Sequence, residues 1–222
     1  MRLLSTKILS LPFKEKLLHH GFSLVEIPFI EIVPLPYDGI HVEDSFIFTS
    51  QNAVRMVFEN THLVQKINGK NIFCVGKKTK ALLEEKGQKV IKKAENASEL
   101  ADFLTKTHKN MSFSFFCGAQ RLPLLESRLK AAHISVTPHE VYKTVACPQA
   151  VKTDYEGILF FSPSAVSSFF SANEMLSTAH GFCIGNTTGQ ALASYTKHYS
   201  VAKKSEEAYV LLSLRNHFMT PL

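Results

Sequence analysis

The chain has 222 residues and a mass of 24.8 kDa, with 45% hydrophobic, 20% charged and 10% aromatic residues and a formal net charge of +6. Ten glycines and nine prolines are too few for a disordered or fibrous protein, and a chain of this length can bury one large core or two small ones. We therefore expect a folded globular protein.

The first residues, MRLLSTKILSLPF, do not predict a signal peptide, because Ser5 and Thr6 interrupt the apolar stretch and no small-residue cleavage site follows. The longest uncharged runs, 157–173 and 175–196, are rich in Ser, Thr, Gly and Asn, so no membrane-spanning helix is expected. The cysteines and histidines show no metal-ligand spacing. We expect a reduced cytoplasmic protein that binds neither a membrane nor a metal.

Short runs rich in Val, Ile and Phe alternate with helical patterns, which is typical of successive βα units around parallel sheets. Two helix starts show capping chemistry: Asn96 precedes Glu99 as in a capping box, and Ser205 precedes two glutamates. The pattern predicts an α/β protein with more strands than one small sheet needs. The strands are predicted, in chain order, near residues 2–5, 23–27, 45–49, 71–75, 89–91, 112–117, 134–138, 157–161, 181–184 and 199–202.

Two proline-bounded segments interrupt this alternation and are patterned as extended chain, at residues 31–37 and 138–147. We interpret them as paired crossings that form a connector between two domains. Domain 1 would then combine residues 1–30 with 148–222, and domain 2 would span residues 38–137. Each domain would contain five strands.

An internal repeat supports this division. The segment IFTSQNAVRMVF from Ile47 aligns with LFFSPSAVSSFF from Leu159, and the segment that begins at Phe73 aligns with the one that begins at Phe182. Each copy contains a strand, a Ser-containing turn, a helix, a strand, a Gly-x-x-Thr turn and a helix. We therefore predict an α/β fold of two similar domains, with parallel five-stranded sheets flanked by helices and joined by a two-stranded extended connector.

Five turns lie between a predicted strand and a predicted helix, where unpaired backbone N–H groups and the positive end of the helix dipole attract anions. They begin at Thr49, Gly76, Gly118, Ser162 and Gly185. Their hydroxyl, amide and basic residues suit carboxylates or phosphates that are held mainly by the main chain. The alternative is that their serines and threonines only cap the helices that follow, and the sequence leaves both possibilities open.

The charge distribution favours an anionic partner, since residues 36–145 hold 16 basic against 11 acidic residues. The dense Lys/Arg clusters of nucleic-acid binders are lacking, so a small polyanion is the better candidate. The sequence contains no Walker pattern, no Gly-x-Gly-x-x-Gly and no Gly-x-Ser-x-Gly elbow, so ATP, NAD and hydrolase chemistry are not expected. Tyr142, in the second crossing, could donate a proton to a departing oxygen or could simply pack its ring.

Seven segments, in their order and spacing, resemble the uroporphyrinogen-III synthase family along nearly the whole chain. They are GFSLVEIPFIEIVPL, FTSQNAV, FCVGKKTKALLEEKG, FCGAQRLPLLESRL, VYKT, FSPSAVSSFF and IGNTTGQAL. The resemblance implies two α/β domains with an active site in the cleft, and neither cofactor nor metal. It also implies a reaction in which hydroxymethylbilane, a linear tetrapyrrole with several carboxylates, closes to uroporphyrinogen III with inversion of ring D and loss of water.

The matching motifs also imply roles for individual residues. Tyr142 of VYKT would assist departure of the hydroxyl group as an acid or hydrogen-bond donor. Lys7 stands where the family often has an arginine. Its ammonium group keeps the positive charge but cannot form the bidentate hydrogen bonds that a guanidinium group forms with a carboxylate. We expect a monomer that binds this tetrapyrrole and no nucleic acid; the alternative is a non-catalytic hinged two-domain module that binds a small polyanion. The predicted substrate-binding residues are Lys7, Ser50, Asn52, Gly76, Thr79, Gly118, Arg121, Ser162, Ser164, Gly185, Thr187 and Thr188.

Overall fold

The computed structural model describes residues 1–36 and 42–219. Residues 37–41, where the predicted connector ends and the predicted second domain begins, and residues 220–222 lie outside the described residues. The described part is an α/β fold with two sheets flanked by helices. None of the helices in these two ranges is both long and apolar enough to cross a membrane.

The helices and strands alternate along most of the chain. In chain order they are β1 (Arg2–Ser5), α1 (Leu11–His19), β2 (Ser23–Glu26), β3 (Ile30–Pro34), β4 (Ser45–Phe48), α2 (Gln51–Phe58), α3 (Thr61–Ile67), β5 (Asn71–Val75), α4 (Lys77–Glu85), β6 (Val90–Ala94), α5 (Ala97–Thr107), β7 (Phe113–Gly118), α6 (Leu124–Ala131), β8 (Val136–Ala146), β9 (Gly157–Phe160), α7 (Pro163–Phe170), β10 (His180–Cys183), α8 (Asn186–Ala193), β11 (Tyr199–Val201) and α9 (Glu207–Phe218).

The chain divides into two compact units. The terminal unit combines Met1–Glu31 with Val145–Leu222, and the middle unit spans Ile32–Thr144. The terminal unit is built on a sheet with the strand order β11-β10-β9-β1-β2, in which neighbouring strands pair in parallel. Because successive side chains of a strand point to opposite faces, Leu3 and Leu4 enter two separate hydrophobic clusters, one on each face of this sheet.

The middle unit is built on a second sheet, with the strand order β3-β8-β7-β4-β5-β6. The pairs β8-β7, β7-β4, β4-β5 and β5-β6 are parallel. Helices cover both faces, and Ile47 packs in one hydrophobic cluster while Phe46 and Phe48 pack in the other. The rings of Phe46 and Phe48 both stack on that of Phe116, with centroid separations of 6.1 and 5.5 Å.

The prediction of five strands in this second sheet is wrong. In the described residues the sheet has six strands, because β8 continues through nearly all of the second predicted crossing and β3 adds beside it at the edge. Backbone N–H and C=O groups in an extended segment need partners, and the sheet supplies them. The backbone N–H of Leu35, for example, donates to the carbonyl oxygen of Val141 at 3.0 Å.

One of the two predicted helix caps is confirmed. Asn96 precedes α5, and its side-chain oxygen accepts a hydrogen bond from the backbone N–H of Glu99 at 2.9 Å. The cap predicted at Ser205 is wrong, since α9 begins at Glu207 and its N-cap residue is Glu206. Ser205 instead lies beside the turn at Gly185, where its Oγ would be 2.7 Å from a Cβ added to that glycine.

Candidate functional site

Three predicted site residues meet beside the carboxyl ends of β7 and β4 in the middle unit. Tyr142 lies on β8, Gly118 ends β7 and Ser50 follows β4, and β7 lies between the other two strands. The Tyr142 side chain reaches across β7, and its Oη donates a hydrogen bond to Ser50 Oγ at 3.0 Å. The parallel sheet therefore joins two hydroxyl groups that are 92 residues apart in the sequence.

This crossing requires a glycine at position 118. Gly118 is the register partner of Tyr142, just after an irregularity in the pairing of β7 with β8. A Cβ at Gly118 would lie 2.6 Å from Tyr142 Cζ and 2.9 Å from Tyr142 Oη, closer than non-bonded atoms approach. The backbone N–H of Ala119 donates to the carbonyl oxygen of Tyr142 at 2.9 Å, which fixes the tyrosine backbone at the same place.

Ser50 also caps α2. Its φ and ψ are extended, and its Oγ accepts a hydrogen bond from the backbone N–H of Ala53 at 3.1 Å. Asn52, in the first turn of this helix, accepts a hydrogen bond through Oδ1 from Arg55 Nη1 at 3.4 Å. Ser50 thus satisfies a helix N-terminus and binds Tyr142 at the same time, so its capping role is confirmed.

The turn after β5 presents an uncapped helix N-terminus. Gly76 is the N-cap residue of α4, makes no side-chain cap and has a φ of +87°, a conformation that favours glycine. The first helical turn contains no acidic residue and includes Lys77 and Lys78. Thr79, which the sequence offered as a possible cap, is instead the third residue of the helix and is buried. The basic first turn and the helix dipole both favour an anion here.

The turn after β7 is held by internal contacts. Arg121 donates from Nε and Nη2 to the two carboxylate oxygens of Glu126, both at 2.9 Å, and from Nη1 to Glu140 at 2.7 Å. Hydrogen bonding to Glu126, the largest cause, raises the pKa of Arg121, and its guanidinium already faces two protein carboxylates. Gln120 exchanges hydrogen bonds with the backbone of Thr144 at 3.0 and 3.1 Å, a contact that no local sequence signal predicts.

In the terminal unit, Lys7 and Ser162 follow the neighbouring strands β1 and β9. Lys7 Nζ is 3.6 Å from Glu207 Oε1 and 4.2 Å from the ring centroid of Phe161. Ser162 caps α7, since its Oγ accepts from the backbone N–H of Ala165 at 3.1 Å. Ser164, in the first turn of the same helix, is exposed.

The turn after β10 resembles the turn after β5. Gly185 is the N-cap residue of α8 and makes no side-chain cap, and the first turn of α8 contains no acidic residue. Thr188 is the third residue of the helix and is buried, whereas Thr187 is exposed. Each unit therefore contains one helix that a serine side chain caps and one helix whose N-cap residue is a glycine and whose third residue is a buried threonine. This agrees with the internal repeat in the sequence.

The cysteines and histidines do not form a metal centre in the described residues. All four cysteines lie in this part of the chain and are free thiols. Burial raises the pKa of Cys74 to about 11 and that of Cys183 to about 12, which confirms that both act as small buried hydrophobic residues. Among residues 1–36 and 42–219, no group of His, Cys, Asp and Glu side chains could hold a metal ion.

Comparison with known proteins places the chain in a family. The sequence profile described as uroporphyrinogen-III synthase HemD matches residues 12–210. No curated protein sequence matches the chain significantly. Among solved structures, the uroporphyrinogen-III synthetase of Helicobacter pylori 26695 is 20% identical, with a TM-score of 0.75, over 97% of this chain and 100% of that chain. A mutant uroporphyrinogen III synthase from the extremely thermophilic bacterium Thermus thermophilus is 16% identical, with a TM-score of 0.65, over 97% of this chain and 98% of that chain. These two likenesses show the fold.

Proposed function

Because the chain belongs to the uroporphyrinogen-III synthase family, we propose that it closes hydroxymethylbilane to uroporphyrinogen III with Tyr142 supplying the acid. The reaction inverts ring D and releases water, so the enzyme is a cyclising hydro-lyase of tetrapyrrole biosynthesis. The family match over residues 12–210 is the observation that carries this conclusion.

The proposed role of Tyr142 follows from the chemistry of the leaving group. The nitrogen of the pyrrole ring that carries the hydroxymethyl group releases electrons, which expel the hydroxyl group and leave an azafulvene-like electrophile. Attack through the substituted carbon of ring D gives a spiro intermediate, which fragments and closes again with the ring inverted. A hydroxyl group leaves more readily as water than as hydroxide, so a phenol at the carboxyl edge of the sheet can assist as a general acid. Tyr142 is half-buried and already hydrogen-bonded there.

The proposed binding groups are helix N-termini and the residues beside them. The helices α2, α4, α7 and α8, each of which follows one of the predicted turns, have no acidic residue in the first turn; α1 and α3 also lack one, whereas α5, α6 and α9 each have one. Main-chain N–H groups and the dipole at the first four can hold carboxylates without strict demands on side chains. The residues proposed to contact the substrate are Lys7, Ser50, Asn52, Gly76, Thr79, Gly118, Ser162, Ser164, Gly185, Thr187 and Thr188.

We propose a different role for Arg121, because both sides of its guanidinium are paired with Glu126 and Glu140. It holds the turn after β7 in place rather than contacting a substrate carboxylate. Much of the catalysis then comes from holding one conformer of a flexible substrate, which is catalysis by proximity and orientation.

The organisation of the whole protein is part of the proposal. The two units are proposed to act as similar domains joined by the segments 31–37 and 138–147, whose sequence pattern predicts extended chain, with the internal repeat as support. We further propose that the protein is a cytoplasmic monomer without a nucleic-acid partner. Its free thiols support a reducing compartment.

The test of this function is the isomer of the product. Purified protein receives freshly generated hydroxymethylbilane, the products are oxidised, and type I and type III porphyrins are separated by chromatography. Spontaneous closure gives type I, so an excess of type III is expected. Type I alone, from protein shown to be folded, would overturn the proposal and favour a binding module that retains its ligand without converting it.

A further inference from the structure

We propose that Ser50 delivers the proton to the departing hydroxyl group, and that Tyr142 is the source from which Ser50 is reprotonated. This inference rests on the proposed function and adds a second hydroxyl to its acid catalysis. The two side chains would act as one relay, in which Ser50 faces the leaving oxygen and Tyr142 stands behind it.

The hydrogen bonds of Ser50 point to this order. A serine hydroxyl has two acceptor positions and one proton to donate. Its Oγ accepts from the backbone N–H of Ala53 at 3.1 Å and from Tyr142 Oη at 3.0 Å, so both acceptor positions are taken. With the Tyr142 hydroxyl donating to Ser50, the proton of Ser50 is the one that remains to be given to another group.

The surrounding backbone holds this arrangement. Tyr142 crosses directly over Gly118, and the backbone N–H of Ala119 binds its carbonyl oxygen. Ser50 is the N-cap residue of α2, whose first turn contains no acidic residue. The positive end of the helix dipole therefore lies at the serine and favours negative charge that develops on the pair when a proton leaves it.

Every proton that the relay moves is accounted for in the reaction. The lone pair of the pyrrole nitrogen expels the hydroxyl group, the carbon–oxygen bond of the hydroxymethyl group breaks, and the leaving oxygen takes the Ser50 proton to become water. Ser50 takes the Tyr142 proton in the same step, which leaves a phenolate. When ring D closes, the proton lost from its free α-carbon returns to Tyr142. Both residues end as they began, and no other reactant is needed.

A double-mutant cycle tests whether the two hydroxyls act as a unit. The variants are Ser50→Ala, Tyr142→Phe and the double variant, with Ser50→Thr to retain the hydroxyl, and the readout is the single-turnover rate constant for type III product. Each single change is expected to lower this rate constant about 10- to 100-fold, and the double variant should be within about twofold of the slower single variant. Ser50→Thr should stay within about threefold of the wild type.

Two further measurements separate a relay from a simple cap or from direct donation by Tyr142. Asn60→Ala removes the cap of α3, where Asn60 accepts from the backbone N–H of Leu63, and is expected to lower the thermal midpoint but not the rate constant. The rate constant should also be measured in H₂O–D₂O mixtures and plotted against the deuterium fraction of the solvent. Because two protons move in one step, this plot should bow below a straight line.

Three results would overturn the relay. They are a Ser50→Ala rate constant at or above the wild-type value, multiplicative losses in the double variant, and a linear dependence on deuterium content. Failure of the proposed function gives a different result, because the wild type would then form type I product alone. If Tyr142 is not the acid, the Tyr142→Phe variant would form type III product with the same rate constant as the wild type.

Discussion

At the scale of single residues, Gly118 decides where the Tyr142 ring can lie. A Cβ at this position would approach Tyr142 Cζ to 2.6 Å, so Gly118→Ala must displace the ring. The hydrogen bond from Tyr142 to Ser50 should then be lost. We expect the rate of type III formation to fall about 10-fold or more, as in loss of general acid catalysis, while the fold persists.

The control for this variant is Gly181→Ala in the terminal unit. Its Cβ would also approach a side chain to 2.6 Å, that of Leu192 at its Cδ2, and it lies in no proposed site. Overpacking there should lower the thermal midpoint and leave the rate constant unchanged. Equal effects of the two changes on the rate constant would mean that Gly118 acts only through stability.

We expect the stability of the terminal unit to depend on pH through His180. Burial, and then the nearby His217 and His198, lower its pKa from 6.5 to about 4. Its ring centroid is 4.0 Å from that of His217, and its Nε2 is 2.9 Å from Ser200 Oγ. Because the folded-state pKa is below the unfolded value, the neutral histidine contributes stability above about pH 6.5, which is lost as pH falls toward about 4.

Urea unfolding at pH 7 and pH 5 checks this expectation. The free energy of unfolding should fall more between these two values in the wild type than in His180→Gln, which cannot take up a proton but can still bind Ser200. Replacing the neighbour with His217→Gln should also reduce the fall. An identical fall in all three proteins would show that His180 is not responsible.

At the scale of elements, Ser162 and Ser164 offer a matched test of helix capping within one turn. Ser162 accepts from the backbone N–H of Ala165, whereas Ser164 is exposed and Ala is a good helix former. Ser162→Ala should therefore lower the free energy of unfolding by about 1 kcal/mol, and Ser164→Ala should change it by less than about 0.5 kcal/mol. Denaturant titrations measure both, and a larger loss in Ser164→Ala would contradict the capping assignment.

The elements that could be predicted from sequence are those with local causes. The strand at Arg2–Ser5 and the cap at Asn96 depend on neighbouring residues, and both agree with the structure. The start of α9 does not, since Ser205 has the chemistry of a cap but packs against the turn at Gly185. The extended character of 138–147 was also visible, but its membership of a sheet depends on β7, which lies more than 20 residues earlier.

At the scale of the whole molecule, the site depends on strand order, which local patterns do not encode. The sequence identified Tyr142, Gly118 and Ser50 separately, and only the order β8-β7-β4 brings them together. Arg121 illustrates the same limit. Its charge and its turn suggested an anion ligand, but Glu140, on the adjacent strand, and Glu126 already satisfy it. Resemblance to a family indicated the function because the order of motifs along the chain is itself long-range information.

The most direct test of the central claim follows the fraction of type III product as enzyme concentration is raised at fixed hydroxymethylbilane. Spontaneous closure to type I competes in every sample and serves as an internal clock. The fraction of type III should rise toward completion with the wild type, and Tyr142→Phe should need about 10-fold more protein to reach the same fraction. A product that stays type I at every concentration of folded wild-type protein would contradict the account.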